Sequence, residues 1–509
     1  MSLQKKQINQ MLSTHKIHPS FLSSRIMALL GDRKIQILLV LLIITLAAQI
    51  RTYDLGGRSL WLDEVSVANW ASQSSLKEVW ASMGGPAPPL FVIALHYIVK
   101  FFPNNEFTLR LLPCLFGIGS LALIYLVARR IDSKAALLTL ILFSFSYPLI
   151  YYSKELKQYS GDVFFALLLV FLTERIVAKN TLRNWGLWVV FSSLALCFSH
   201  TAAFVIPGLS LVLLLQGIGS QRRNILLKWL LSNAVVGLMF ILIFYFVIRG
   251  QIQDWLIAYW RGSYPDTTSS KNLLFWLVRS NFMILKNFFQ PYHWLVLLLI
   301  PVAMDDFIRT NRRRFLLYLL FPLFLALVAS FLHRYPYGVT RLMLFVTPML
   351  FITVGQGLFR VLVALYQKKY LIALVVMVIL FTWLTTSQIY TGFAKRVRRE
   401  EMRPVIQYLE RNLEPGDRIY VYYAAGEAFK YYYRGGYENV VRGKIHRDDI
   451  DEYASEIDEI LETDIRVWLV FSHYWGPERE FCLEYLSKRG SLLRRQTAEG
   501  ASVYLYRIH

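Results

Sequence analysis

Long apolar runs recur along this chain at close to the length needed to cross a bilayer, and that pattern limits the fold more than any motif does. In hydrocarbon every backbone N–H and C=O must be satisfied within the protein, so such runs are read as spanning helices. With 55% hydrophobic and 17% charged residues among 509, the chain is an integral membrane protein. A net charge of +21 would suggest nucleic acid in a soluble protein. Here the basic residues sit mainly in short loops between apolar runs, as the positive-inside rule expects, so no nucleic-acid partner is expected. Cys114, Cys197 and Cys482 lack metal-ligand spacing, and two lie within apolar runs, so neither a disulfide framework nor a zinc site is indicated.

Loop charge sets the topology. Lys5, Lys6, Lys16, Arg25, Arg33 and Lys34 precede the first apolar run, Ile35–Ile50, with no clear small-residue cleavage site after it. Residues 1–34 are expected to be a basic cytoplasmic tail ahead of an uncleaved anchor. The first helix then exits outward. Pro88–Phe102 is about 15 residues, below the ~17–25 a span needs, and contains His96 and Lys100, so it is placed flat at the outer interface. Phe107–Ala128, Ala135–Tyr152, Val163–Ile176, Trp185–Ser199, Thr201–Leu215 and Leu227–Ile248 then alternate, turning at His200 between the fourth and fifth. Tyr292–Met304, Phe315–Leu332, Leu342–Leu365 and Tyr370–Ile389 complete eleven expected spans. Asn272–Phe289 reads as an interfacial amphipathic helix. The membrane part is thus expected over residues 35–392. From 393 to 509 the pattern changes to helix (Glu401–Leu413), strand (Arg418–Tyr423), helix (Asp449–Leu461), strand (Arg466–Phe471), helix (Pro477–Arg489) and strand (Ser502–Tyr506). That is the alternation of a small α/β domain, here on the outer side.

On this map Asp63 and Glu64 lie outside, just past the first helix and the basic Arg58. Lys154, Lys157, Asp162, His200, Arg334 and Arg341 lie at or beyond the outer ends of other helices. Charges near a bilayer are costly and usually face water, partners or a site. Such a set suits transfer of a group from a lipid phosphate: a carboxylate takes the acceptor's proton, and fixed cations hold the phosphate leaving group. Structural alternatives stand beside it. Asp63 equally fits a helix cap, Lys154 and Lys157 snorkelling residues, and His200 a polar turn residue. Arg334 and Arg341 also fit an interfacial turn around Tyr335–Gly338.

Ser59-Leu60-Trp61-Leu62-Asp63-Glu64, Pro86-Ala87-Pro88-Pro89-Leu90, Phe107–Arg110, Tyr151–Tyr159, Phe198–Ala203 and Val339–Leu342 follow one another in a familiar order. The succession resembles the polyprenyl-phosphate-dependent membrane glycosyltransferases of the GT-C fold, related to protein O-mannosyltransferases and lipid A aminoarabinose transferases. The resemblance implies an inverting enzyme with Asp63 as the acceptor-activating base and Glu64 supporting it or contacting the acceptor. It also implies a polyprenyl-phosphate sugar donor gripped by cations, for which Lys154, Lys157 and Arg341 are chosen. The acceptor would be a glycan, lipid or protein, and no cofactor or metal is required. Ala87 and Lys157 depart from the family pattern, where His or Lys and Arg are common. The rival readings are a glycan ligase or polymerase using a polyprenyl diphosphate, a transporter, and an inactive scaffold. A transporter is disfavoured because the charges gather at one face and no repeat is visible.

Overall fold

The structure is a computed structural model that describes residues 32–216, 222–394, 397–446, 450–459, 461 and 464–509. Lys5, Lys6, Lys16 and Arg25 of the basic tail lie outside the described residues. The fold is mostly helical, with a small sheet at the C-terminal end. Among the described residues, six helices are long and apolar enough to cross a membrane: Arg33–Thr52, Glu106–Ala128, Arg223–Gln251, Arg314–Phe331, Leu344–Gln367 and Leu371–Thr391. The chain is a multi-pass membrane protein. One expected span is a bent pair instead, Ser133–Ser144 with Tyr147–Ser153, turned by 60°; the helices Ser270–Phe289 and His293–Arg309, expected as an interfacial helix and a span, meet at 105°. The first break is explained by Pro148 at the start of the second helix. Tyr159–Ala178 is 20 residues long but carries Asp162, Glu174 and Arg175, while Leu182–Phe198 and Ala202–Gln216 are shorter, as their apolar runs foretold.

The helices pack closely where side chains are small. A Cβ on Gly355 would collide with Thr139 Oγ1, and one on Gly357 with the Leu299 carbonyl oxygen. Glycine at both positions lets Leu344–Gln367 approach two neighbours at once.

A second core lies at one end of the bundle. It joins Leu60, Val65 and Val67 after the first helix, Phe91, Val92 and Leu95 of the Pro89–Phe101 helix, and the C-terminal sheet. That 13-residue helix therefore buries its apolar face under the C-terminal part rather than among the membrane helices. The sheet has five strands: β1 Arg418–Val421, β2 Val440–Arg442, β3 Arg466–Ser472, β4 Gly490–Ala498 and β5 Ala501–Ile508, in the order β2-β1-β3-β5-β4. β1 runs parallel to β2 and β3, and β5 antiparallel to β3 and β4. β2 and β4, which the sequence does not announce, are the two edges. β4 is largely exposed and carries Arg494-Arg495-Gln496-Thr497, so it lacks the buried-run signal of central β3.

Candidate active site

The segment from Tyr53 to Trp61 crosses the end of the bundle and leads into the Leu62–Ala71 helix. Glu64 stands in that helix's first turn, where its side chain turns back to accept from the Trp61 N–H at 3.4 Å. Capping, expected of Asp63, thus falls to its neighbour. Glu64 is fully buried and clasped by Arg110, itself fully buried, through Nε at 2.9 Å and Nη2 at 2.7 Å. The Leu156 N–H adds a third bond at 2.7 Å, and Arg58 approaches to 3.5 Å. Burial alone would raise the Glu64 pKa, but Arg110 and Arg58 hold it at about 2. Arg110 also donates to the carbonyls of Leu55, Arg58 and Ser59, so one guanidinium knits the whole acidic segment together.

Consecutive residues on a helix point about 100° apart. With Glu64 turned inward, Asp63 faces outward, its side chain 33% exposed, and accepts from Arg341 Nη1 at 2.8 Å. The Arg341 guanidinium rests on the Trp260 ring at 5.3 Å. Lys157 is buried within electrostatic reach of both; burial pushes its pKa down, and Asp63 opposes this. Asp63, Lys157 and Arg341, far apart in sequence, therefore converge. A carboxylate beside two cations at the mouth of a helix bundle can take a proton while an anion is held next to it.

The other expected site residues are placed elsewhere. Arg58 donates to the Lys154 carbonyl at 2.9 Å and lies over the Tyr151 ring, behind Glu64. Lys154 turns its ammonium to the Tyr53 carbonyl at 2.8 Å, and burial lowers its pKa to about 8. Asp162 accepts from the hydroxyls of Ser199 and Thr201 and so closes the turn at residues 199–201. His200 lies against the Ala87 carbonyl, with burial pushing its pKa to about 4. Arg334 is exposed beside Tyr264, with no contact to Asp63.

Sequence reasoning missed the groups that hold the site in place. Glu400 accepts from the Leu62 N–H at 2.9 Å, and Glu401 from Ser59 Oγ at 3.2 Å. Arg403 donates to the carbonyls of Gly56 and Gly57 and pairs with Glu106 at 2.9 Å. The segment leading into the C-terminal sheet thus clamps the loop that carries Asp63. Glu155 was also passed over: it is fully buried, accepts from Trp61 Nε1 at 3.0 Å, and its other oxygen has no partner. Burial, with Glu64 nearby, raises its pKa. The available signal for Arg110 was an arginine inside an apolar helix, which demands a buried partner. Among the described residues, no three His, Cys, Asp or Glu side chains are grouped to hold a metal ion.

Comparisons with known proteins agree with this architecture. Residues 86–247 match the sequence model of the dolichyl-phosphate-mannose-protein mannosyltransferase family. A stretch of 167 residues is 29% identical to an uncharacterized protein of Aquifex aeolicus (strain VF5), spanning 30% of this chain and about a third (33%) of that relative's length. The structure is similar to ArnT from Cupriavidus metallidurans bound to undecaprenyl phosphate, with a TM-score of 0.56 and 13% identity over 92% of this chain and 97% of that one. It is also similar to the archaeal oligosaccharyltransferase AglB from Archaeoglobus fulgidus, in complex with an inhibitory peptide and a dolichol-phosphate. There the TM-score is 0.50 and the identity 11%, over 91% of this chain and 74% of that one. The chain therefore has the GT-C fold of these membrane proteins, and over residues 86–247 it is similar in sequence to the dolichyl-phosphate-mannose-protein mannosyltransferases.

Proposed function

We propose that this chain is an inverting glycosyltransferase that moves a sugar from a polyprenyl monophosphate carrier to an acceptor hydroxyl at the outer face of the cytoplasmic membrane. The acceptor is a protein, lipid or glycan. The observation that carries the reading is the partly exposed Asp63 carboxylate, 2.8 Å from Arg341 and within electrostatic reach of Lys157. The arriving lipid phosphate draws Arg341 and Lys157 to itself, which frees Asp63 to face the acceptor. The acceptor oxygen attacks the anomeric carbon as its proton passes to Asp63. The bond from that carbon to the phosphate oxygen breaks, and its electron pair leaves with the polyprenyl phosphate. The cations stabilise the negative charge that gathers on the leaving group, so the reaction as written calls for no metal. Arg341 brings a planar fork suited to phosphate oxygens, whereas Lys157 brings a point charge.

Two features support this reading: the similarity of residues 86–247 to the mannosyltransferase family, and the undecaprenyl phosphate and dolichol-phosphate bound by the two solved relatives. The test is a donor assay with the purified full chain, supplying the same sugar on polyprenyl monophosphate or on polyprenyl diphosphate. The reading expects consumption of the monophosphate form. Turnover of the diphosphate alone would instead make the chain a ligase or polymerase.

A further inference from the structure

Arg399, in the segment joining the last membrane helix to the C-terminal part, has no role in the chemistry above. Its guanidinium lies 4.2 Å from the centre of the Trp61 ring and 5.6 Å from that of Tyr151. Among the described residues no carboxylate lies within ion-pair distance of it; the buried Glu155, bonded to Trp61 Nε1, is within its electrostatic reach, and the Arg399 side chain is exposed. Arg399 lines a cavity of about 570 Å³ whose wall also carries the amide and hydroxyl groups of Asn287, Thr340, Ser387 and Thr391. Among the described residues that line the cavity, Arg399 alone bears a fixed charge. Thr340 precedes Arg341 in the chain, and Tyr152 stands within electrostatic reach of both Arg341 and Arg399. An exposed cation with no direct carboxylate partner, facing a cavity whose other described lining residues are uncharged, is suited to a phosphate.

A second, separate cleft lies further along the helix that carries Ser387 and Thr391. Ser387, Gln388 and Thr391 of this last membrane helix line the cavity, and Leu384, Phe381, Leu380 and Met377 of the same helix line the narrow apolar cleft deeper down. These positions follow helical spacing and form a single stripe, polar at the end near Arg399 and apolar below. Phe289, next to the cavity-lining Phe288, closes the other wall of the cleft. The helix itself is peripheral, with no residue of its apolar window buried in the protein, so the stripe is reached sideways from the bilayer. A charged head above and an apolar groove below match an amphiphile with a phosphate head and a long hydrocarbon tail.

We propose that Arg399 is a docking cation for the phosphate of the polyprenyl carrier, and that the stripe beneath it is the lateral path by which the carrier reaches Arg341. The inference rests on the donor reading above and adds where the donor first lands. It also assigns a task to the joining segment: Arg399 receives the carrier while its neighbours Glu400 and Glu401 hold the Asp63 loop.

The test uses the full chain in phosphatidylcholine nanodiscs, titrated with undecaprenyl phosphate, with bound lipid counted by native mass spectrometry. Arg399→Met keeps an apolar stem over Trp61 and removes the charge, so the fold is preserved. It should weaken binding about tenfold, the loss of one charge-assisted hydrogen bond, with Arg399→Lys falling between it and the unmodified chain. Phosphatidylglycerol should compete poorly. Unchanged affinity in Arg399→Met overturns the assignment of Arg399. Equal competition by phosphatidylglycerol overturns the site as a carrier path, and both results leave the donor reading standing. Failure of the unmodified chain to bind undecaprenyl phosphate overturns the donor reading, and this inference with it.

Discussion

Replacing Glu64 with Gln should destabilise the protein more than any other single change at the acidic loop. The carboxylate is fully buried, accepts two hydrogen bonds from Arg110 and one from Leu156, and is the counter-ion of a guanidinium that is also fully buried. Glutamine keeps the shape but leaves Arg110 charged, buried and uncompensated. Breaking a buried pair from one side typically costs about 3–5 kcal/mol. The loss propagates, because Arg110 orders the carbonyls of Leu55, Arg58 and Ser59 ahead of Asp63. The assay is thermal inactivation of the purified chain in detergent, followed as melting temperature and half-life, since unfolding of a protein of this kind is governed by rate. The double variant Glu64→Gln/Arg110→Met should recover part of the loss, because a neutral apolar substitute removes the stranded charge. The pH dependence has a definite sign. Glu64 has a folded pKa of about 2, below the ordinary carboxylate value, so its contribution is complete at neutral pH. It is lost only as pH falls from about 4 through the folded value. A Glu64→Gln chain that melts and inactivates like the unmodified one would refute the argument that this pair braces the loop.

Other perturbations separate the remaining roles. Lys157→Met removes a buried ammonium, so stability should hold or rise while the donor KM increases about tenfold. A donor titration beside a melting curve reads both. Lys154→Ala and Arg334→Ala should change the donor KM less than threefold, because neither cation is directed at Asp63. Glu401→Ala frees the Ser59 hydroxyl and amide, so kcat should fall while the donor KM stays put, as expected of a positioning residue.

Much of the architecture was legible because membrane folding obeys strong, local constraints. Apolar length and loop charge located every long helix, and the short Pro88–Phe102 run proved to be a separate helix packed under the C-terminal part. Asp63, Lys157 and Arg341 were legible only as members of a larger set of charges at helix ends, from which the resemblance also picked out Lys154. Their convergence is a tertiary fact that spacing could only suggest. The opposite fates of Asp63 and Glu64 were hidden because they depend on helix phase. Two adjacent acids look alike in a string, yet one rotates into a buried arginine and the other outward to Arg341. Lys154 and Lys157 split in the same way, one turning to the Tyr53 carbonyl and the other towards Asp63. The clamp by Glu400, Glu401 and Arg403 was illegible because it joins residues more than 300 positions apart.

The most direct test of the central claim is sugar transfer by Asp63→Asn. The carboxylate is a third exposed and sits at the rim of its ion pair with Arg341, so the substitution should change stability by only about 1 kcal/mol. Polyprenyl-phosphate donor binding should persist, because Arg341 and Lys157 remain. Transfer should fall by about 10²–10⁴ or more, the contribution of a general base. Transfer at the unmodified rate by a folded, donor-binding Asp63→Asn chain would contradict the account.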